Sequence, residues 1–142
     1  MSKQHKIDYS QLEAGYKFPP VTFKVDPATA SIYLTAAREA SPLYQGTGLV
    51  PPMAVAASAM AAWSENVSFP SGAIHVSQDF DFLDTVTTKD ALTSHARVSK
   101  KEERTRFKVF TINFEVFNQK QKPVLAGNTT FLVPERSNDS KA

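Results

Sequence analysis

Hydrophobic and polar positions follow one pattern in the middle of the chain and another in its second half. Residues 51–63 are all small or apolar, and no charge appears before Glu65. Alanine dominates this segment and is the best helix former, so the pattern predicts an α-helix that is apolar, and therefore buried, on every side. The segment is too short to cross a bilayer, which takes about 20 apolar residues. We therefore expect a core helix enclosed by other elements.

A short strand and a first helix are predicted before this segment. Residues 21–25 alternate and are β-branched or aromatic at the apolar positions, which is typical of a strand. Asp26 and Pro27 then provide an N-cap followed by proline at the first helical position. The helix is expected to run to about Glu39, because Ser41 precedes Pro42 and a residue before proline avoids the α conformation.

The second half of the chain alternates with the period of β-strands. Strands are predicted over residues 74–82, 91–99, 106–117 and 124–133, joined as an antiparallel meander. In the first of them one face is expected to carry Ile74, Val76, Phe80 and Phe82, and the other His75, Ser77, Asp79 and Asp81. In the third the apolar phase changes, which predicts a bulge near Val109 or Phe110.

These elements together predict an α+β protein with the hot-dog fold. A helix that is apolar all round needs a curved antiparallel sheet wrapped around it, because one flat sheet covers only one side. Residues 18–134 are expected to form this domain, residues 1–17 a flexible N-terminal arm and residues 135–142 a disordered tail. A single curved sheet leaves an open strand edge, which favours edge-to-edge pairing into a dimer.

Composition narrows the function classes. The 142 residues suit one domain, and a net charge of +2 with dispersed basic residues argues against a nucleic-acid partner. The absence of cysteine excludes disulfides and cysteine zinc sites. His75, Asp79, Asp81 and Asp84 do not close a coordination sphere by alternation along one strand, so no metal is expected. No apolar signal segment follows the start, so we expect no membrane insertion and a cytoplasmic location.

Three stretches carry a resemblance to a known family. Residues 32–44 end in Ser-Pro-Leu-Tyr, residues 49–53 read Leu-Val-Pro-Pro-Met, and residues 74–82, Ile-His-Val-Ser-Gln-Asp-Phe-Asp-Phe, are followed by Lys89-Asp90. In this order they resemble the first helix and its exit, the start of the central helix, and the "HxxQxF…GD" strand of the MaoC-like hydratases and dehydratases of acyl thioesters. The resemblance is greatest to their N-terminal, fatty-acid-synthase-like dehydratase half-domain, or to the non-catalytic subunit of (3R)-hydroxyacyl-ACP dehydratases, and spans residues 18–134.

The departures from the family pattern concern its catalytic positions. Active members carry an aspartate and a histidine where this chain has Glu39 and Tyr44. A tyrosine with a pKa near 10 is a poor substitute for imidazole as a base or acid near neutrality. Active members also have a His-Gly pair whose N–H groups bind the thioester carbonyl, whereas Pro51 and Pro52 offer no N–H. The resemblance therefore implies a non-catalytic, acyl-thioester-binding subunit of an (R)-specific enoyl-CoA hydratase or 3-hydroxyacyl-thioester dehydratase.

The candidate site residues each have a functional and a structural interpretation. Glu39 and Tyr44 form the altered catalytic pair, but Glu39 also fits a solvated helix end and Tyr44 a pocket wall. The resemblance implies substrate contacts from Pro52, Met53, Ala54, His75 and Gln78. A hydrogen-bonded structural histidine is the alternative for His75, and a buried Gln78 amide would have to bond to backbone around the central helix.

The same resemblance implies no cofactor, with CoA or acyl carrier protein as the carrier of the substrate. The expected partner is a second copy in a homodimer, or a catalytic subunit of the same fold in a heterodimer. Three alternatives stay open. They are an active hydratase with Glu39 as base assisted by His75 or Tyr44, a hot-dog thioesterase, and a stand-alone acyl-CoA-binding protein.

Overall fold

The computed structural model describes residues 6–135, so the predicted tail beyond Glu135 and the first five residues of the predicted arm lie outside it. The elements in chain order are β1 (Ile7–Asp8), β2 (Val21–Phe23), α1 (Pro27–Ala36), α2 (Pro52–Ser64), β3 (Val67–Ser68), β4 (Ile74–Phe82), β5 (Leu92–Glu103), β6 (Phe107–Phe117) and β7 (Pro123–Pro134). Short 3₁₀ turns occupy Tyr9–Gln11 and Pro42–Tyr44. Within residues 6–135, no helix is both long enough and apolar enough to cross a membrane.

Five strands form one antiparallel sheet in the order β2-β5-β6-β7-β4. The predicted meander holds for β5, β6 and β7, but β4 pairs with β7 and lies at the far edge of the sheet. Alternation along a strand determines its faces but not its neighbour, which is why the sequence placed β4 beside β5. The inner face carries the predicted row Phe110, Ile112, Phe114 and Val116, all fully buried. The predicted α+β hot-dog fold is confirmed.

The central helix α2 lies on the inner face of this sheet. Its buried residues are Ala54, Val55, Ala56, Ala59, Ala62 and Trp63. Met53, Ala57 and Ala61, spaced four residues apart, form one exposed stripe. The helix is therefore not buried on every side, because the sheet and its neighbours cover only part of its circumference.

Helix α1 begins as predicted and ends earlier than predicted. The Asp26 carboxylate accepts a 2.8 Å hydrogen bond from the Thr29 N–H, and Pro27 is the first helical residue. Arg38 then adopts a left-handed conformation with φ of +55°, and the Glu39 N–H donates to the Leu34 carbonyl at 2.9 Å. This Schellman motif ends the helix at Ala36 and leaves Glu39 beyond it.

A bulge in β4 changes which of its residues face inward. His75 lies opposite Phe131, but Ser77 lies opposite Thr130, so Val76 is the extra residue. The inner face consequently carries His75, Gln78, Phe80 and Phe82, while Ile74 and Val76 are about half exposed. The predicted division of this strand is wrong before the bulge and right after it.

The bulge predicted in β6 is also misplaced. Strand β6 pairs with β7 without a break from Phe107 to Val116. The two alternating sets of apolar residues in β6 therefore lie on opposite faces of the sheet. The irregularity lies instead in the facing strand β5, between Val98 and Lys100. A change of apolar phase in one strand can thus be accommodated by an extra residue in its neighbour.

The N-terminal segment is part of the domain from residue 7 onward, which corrects the flexible arm expected there. Leu12 is fully buried, and Ile7 pairs in parallel with Val67. The Gly15 N–H donates to the Val98 carbonyl at 2.7 Å, and the Phe18 N–H donates to the Ala96 carbonyl at 2.9 Å. The apolar residues Ile7, Leu12 and Phe18 are not spaced with the period of a helix or a strand, so the sequence did not predict this packing.

Candidate functional site

A cavity of about 360 Å³ opens at the N-terminal end of α2. It lies between the loop before α2, the first turn of α2, the segment after β4 and the start of β7. Its lining residues are Leu43, Tyr44, Leu49, Val50, Pro52, Val55, Phe82, Leu83, Asp84, Thr85, Val86 and Val124. Most of these side chains are apolar, so the cavity is suited to an apolar ligand.

The lining changes from exposed at the mouth to buried at the floor. Leu43 and Leu83 at the mouth are more than half exposed. The four buried lining residues are all valines, namely Val50, Val55, Val86 and Val124, each at most 3% exposed. Backbone bonds join the elements that carry them, since the Val50 N–H donates to the Val86 carbonyl at 2.8 Å and the Leu83 N–H to the Val124 carbonyl at 2.9 Å. The floor is therefore a fixed part of the core.

Tyr44 lines the cavity because a tight turn holds it there. The Ser41 hydroxyl caps this 3₁₀ turn by accepting from the Leu43 N–H at 3.2 Å. The Thr47 hydroxyl donates to the Leu43 carbonyl at 2.9 Å and closes the following loop. Tyr44 is half-buried in this position, as expected for a pocket wall.

Glu39, the other member of the altered catalytic pair, is not among the lining residues. It is exposed, and its carboxylate accepts a 3.1 Å hydrogen bond from the Ser41 N–H. The structure thus places Glu39 in the turn that follows α1, where it supports the backbone that leads to Tyr44. Its role in chemistry stays a prediction.

The first turn of α2 presents Pro52 to the cavity and little else. Met53 is about half exposed and Ala54 is fully buried, and neither lines the cavity. The Ala54 and Val55 N–H groups both donate to the Pro51 carbonyl, at 2.9 and 3.4 Å. Because Pro51 and Pro52 have no N–H, Met53 is the one first-turn residue whose amide is left for a ligand oxygen.

His75 and Gln78 are brought together, but away from the cavity lining. Their side chains lie 3.1 Å apart, from His75 Nε2 to Gln78 Oε1, and the imidazole stacks on Phe131 at 4.9 Å. The Gln78 amide donates to the Asp79 and Asn128 carbonyls and accepts from the Thr129 hydroxyl at 2.6 Å. Gln78 therefore bonds to the sheet and not to backbone around α2, which corrects that expectation.

Asp84 contributes a carboxylate to the cavity lining, and the sequence did not predict it there. Its carboxylate accepts from the Thr85 N–H at 2.8 Å and pairs with the Lys122 ammonium at 3.2 Å. The Thr85 hydrogen bond, with the Lys122 charge, lowers the pKa of Asp84 below its ordinary value. Lys122 lies in the turn between β6 and β7, far from Asp84 in sequence, so no local pattern predicts that the two pair.

Of the residues in the described range 6–135, Tyr44 and Asp84 are the ionisable ones that line this cavity. Both oxygens of Asp84 are already engaged, one by the Thr85 N–H and one by the Lys122 ammonium. Across residues 6–135 no group of three histidine, aspartate or glutamate side chains is arranged to hold a metal ion. Among the described residues, the cavity thus offers an apolar volume, the hydroxyls of Tyr44 and Thr85 and one engaged carboxylate, without a free base and acid placed together.

Known structures share this architecture. An (R)-hydratase, PhaJ1 from Pseudomonas aeruginosa, is 23% identical, with a TM-score of 0.75 over 94% of this chain and 90% of that one. A MaoC-like dehydratase from Rhodospirillum rubrum is 17% identical, with a TM-score of 0.69 over 90% and 97%. The HadBC (3R-hydroxyacyl-ACP dehydratase) complex from Mycobacterium tuberculosis contains a chain 18% identical, with a TM-score of 0.65 over 84% and 96%.

No protein-family model and no curated protein matches the sequence. The structural likeness at these identities therefore defines the fold. The chain is a hot-dog protein whose architecture is shared with the (R)-hydratases and MaoC-like dehydratases, over nearly the full length of each. What it does must be argued from its own cavity.

Proposed function

We propose that this chain is a member of the MaoC-like family and acts as an acyl-thioester-binding, non-catalytic subunit of an (R)-specific enoyl-thioester hydratase or 3-hydroxyacyl-thioester dehydratase. The cavity at the start of α2 holds the acyl chain in this role. A partner of the same fold supplies the base and the acid. The substrate reaches the site on CoA or on acyl carrier protein, and the chain needs no cofactor of its own.

The make-up of the cavity is the observation that carries this proposal. Hydration of an enoyl thioester needs a base for water and an acid for the α-carbon. It also needs hydrogen-bond donors for the thioester oxygen, where charge develops. By the resemblance, Tyr44 replaces the histidine and Pro52 replaces an N–H donor. Both line the cavity, while the Glu39 carboxylate accepts from the Ser41 N–H outside the lining. The cavity thus provides an apolar volume for an acyl chain, but the catalytic groups that the resemblance implies for active members are replaced.

The free edge of β4 is where the partner is expected to pair. The opposite edge strand, β2, is only three residues long and pairs with β5. Strand β4 pairs on one side only, with β7, and carries the half-exposed apolar residues Ile74 and Val76. An open edge of nine residues favours pairing with another strand. The structurally similar HadBC protein is described as a complex, which is an example of chains of this fold that assemble with one another.

The first experiment separates binding from catalysis. Hydration of crotonyl-CoA by the purified chain is followed as loss of the conjugated thioester absorbance, and binding of butyryl-CoA is measured by calorimetry. We expect binding without turnover above a heat-denatured control. The Tyr44→Phe variant should bind equally well, because it keeps the ring that forms the cavity wall.

Turnover by the chain alone would contradict the non-catalytic assignment. The variants Glu39→Gln and Asp84→Asn would then show which carboxylate carries it. If Glu39→Gln abolishes turnover and Asp84→Asn does not, the alternative with Glu39 as base is correct. If neither butyryl-CoA nor crotonyl-CoA binds, the acyl-thioester role itself fails.

A second experiment tests the β4 edge. Val76→Lys places a charge on the open edge without removing a ladder hydrogen bond to β7, because Val76 is the bulged residue. In the absence of the catalytic partner we expect the purified chain to pair with a second copy through this edge, and Val76→Lys to reduce the particle mass, measured by light scattering, from two chains to one. Ile32→Lys is the matched control, since Ile32 is an exposed aliphatic residue on α1. Equal masses for wild type and both variants would place the partner elsewhere.

A further inference from the structure

A second cavity, of about 250 Å³, lies on the face of the sheet away from α2 and shares no lining residue with the first. It opens where the segment before β2 leaves β5. Lys17 lies opposite Arg97 and Val21 opposite Ser94, so three residues of the N-terminal segment face two of β5. The extra residue falls at the prolines 19–20, which have no N–H for the ladder, and the strand bends there. The polar lining residues are Lys17, His95, Arg97, Asn113 and Glu115.

Two cations stand directly opposite each other in this cavity, because Lys17 and Arg97 pair across the two strands. The flanking backbone bonds are donated by the N–H groups of Phe18 and Val98, at 2.9 and 2.8 Å. The cations therefore form a non-hydrogen-bonded pair, the type in which facing side chains lie closest. Like charges directly opposite each other destabilise a sheet, so the fold gains nothing from this pair without a counter-ion.

No carboxylate among residues 6–135 neutralises the two cations, since neither Lys17 nor Arg97 forms an ion pair there. Glu115 is the one carboxylate of the described residues that lines the cavity, and it lies opposite His95. Two cations thus share the cavity with one carboxylate. A concave site with an excess of one sign of charge concentrates ions of the opposite sign.

A row of hydrogen bonds across the sheet fixes the amide beside the cations. Asn113 lies opposite Arg97, and its amide donates to Asn128 Oδ1 at 3.1 Å. The Asn128 N–H donates in turn to the Asp79 carboxylate at 3.0 Å. Asp79 is therefore engaged at the β4 edge of the sheet, two strands away from the cavity, and does not serve as the counter-ion.

We infer that this cavity binds a phosphate monoester of a hydroxylated compound, such as a sugar phosphate or a nucleotide. The Arg97 guanidinium offers a planar set of donors that matches phosphate oxygens, and Lys17 adds a second charge. A phosphate monoester carries about −1.5 to −2 charges near neutrality and so neutralises both cations, whereas a carboxylate would neutralise one. The Glu115 carboxylate is an acceptor for hydroxyl groups next to the phosphate. This site is independent of the proposed acyl-thioester function.

The experiment measures the binding of ribose 5-phosphate to the full chain by calorimetry at low ionic strength, with inorganic phosphate and ribose for comparison. We expect ribose 5-phosphate to bind most tightly, inorganic phosphate more weakly and ribose not measurably. Arg97→Gln should weaken the binding of ribose 5-phosphate at least about ten-fold, the usual loss for a hydrogen bond to a charged group. Arg106→Gln removes the same charge from an exposed arginine outside the lining and should leave binding unchanged.

Two further arms define the rest of the ligand. Glu115→Gln should reduce the preference for ribose 5-phosphate over inorganic phosphate, because it removes a hydroxyl acceptor that also repels the phosphate. An unchanged preference overturns the sugar part of the proposal. Adenosine monophosphate tests the source, since binding tighter than that of ribose 5-phosphate supports a nucleotide and equal binding supports a sugar phosphate.

Stability provides a readout that a purely structural role of Arg97 would move in the opposite direction. Arg97→Gln should raise the urea midpoint of the ligand-free chain, because it removes one of two like charges. A lower midpoint would mean that Arg97 is paired within the fold, and it overturns the proposal. Equal weakening of binding by Arg97→Gln and Arg106→Gln, or equal binding of ribose and ribose 5-phosphate, also overturns it. The acyl-thioester function stands in each case.

Discussion

The two ends of α2 are built from different side chains, and the difference explains why one end holds a cavity. At the N-terminal end, hereafter the cavity end, the helix starts at two prolines, and its Val55 lines an open cavity together with Val50, Val86 and Val124. At the C-terminal end, hereafter the aromatic end, Trp63 lies between the rings of Phe18 and Phe131, at 5.6 and 5.8 Å. Large rings pack tightly enough to close one end, while small branched side chains leave room at the other.

The N-terminal segment reinforces the aromatic end only. Leu12 is fully buried there, and Tyr9 packs edge-on against Phe110 at 6.4 Å. The Lys101 ammonium, on a side chain only 9% exposed, pairs with Glu13 at 3.1 Å and lies 5.8 Å from the centre of the Phe110 ring. The aromatic end thus carries stability, and the cavity end is left free to bind.

Removing the central ring of the aromatic end should have the largest effect on stability. Trp63→Ala deletes a side chain that is 1% exposed, and we expect a loss of about 3–5 kcal/mol in the free energy of unfolding. Chemical denaturation followed by circular dichroism measures it. Trp63→Phe should cost much less, because the buried indole N–H has no hydrogen-bond partner to lose. A small effect of Trp63→Ala would show that the aromatic end is not the main source of stability.

A leucine pair compares the two ends directly. Leu12→Ala at the aromatic end should cost about 2–5 kcal/mol, because Leu12 is fully buried. Leu43→Ala at the mouth of the cavity should change stability by no more than about 0.5 kcal/mol, because Leu43 is more than half exposed. The same denaturation measurement serves both variants. Equal losses would mean that the mouth is as stabilising as the buried segment.

The smallest predicted effect concerns pH at the cavity mouth. The pKa of Asp84 is lowered in the folded state, so its contribution to stability is present above the unfolded value of about 3.9 and is lost as the pH falls through the folded value. Asp84→Asn should therefore lower the urea midpoint slightly at pH 6, and the difference should shrink as the pH falls through the folded pKa of Asp84. Asp81→Asn is the control, since no hydrogen bond or ion pair of the Asp81 side chain is found in residues 6–135. A difference that persists at pH 2 would contradict the assignment.

Comparison of prediction and structure separates local signals from long-range ones. The Asp26–Pro27 start of α1 and the apolar face of β6 were readable because each depends on a few adjacent residues. The pairing of β4 with β7 and the bulge at Val76 could not be predicted, because the alternation of apolar and polar residues identifies neither the partner strand nor an extra residue. The candidate site divides in the same way. Tyr44 and Pro52 line the cavity, whereas Glu39, Met53, Ala54, His75 and Gln78 do not.

The sequence by itself determined that this protein has an alanine-rich helix and an antiparallel sheet, since helix and strand periods are local properties of the chain. The resemblance of its motifs predicts that Tyr44 and the proline pair occupy positions where a hydratase would have its histidine and its N–H donors, and this stays a prediction. Only the tertiary structure decided that Asp84 joins Tyr44 in one cavity and that four valines close its floor. These residues come from segments far apart in sequence, and their meeting depends on strand order and register, which no local pattern encodes.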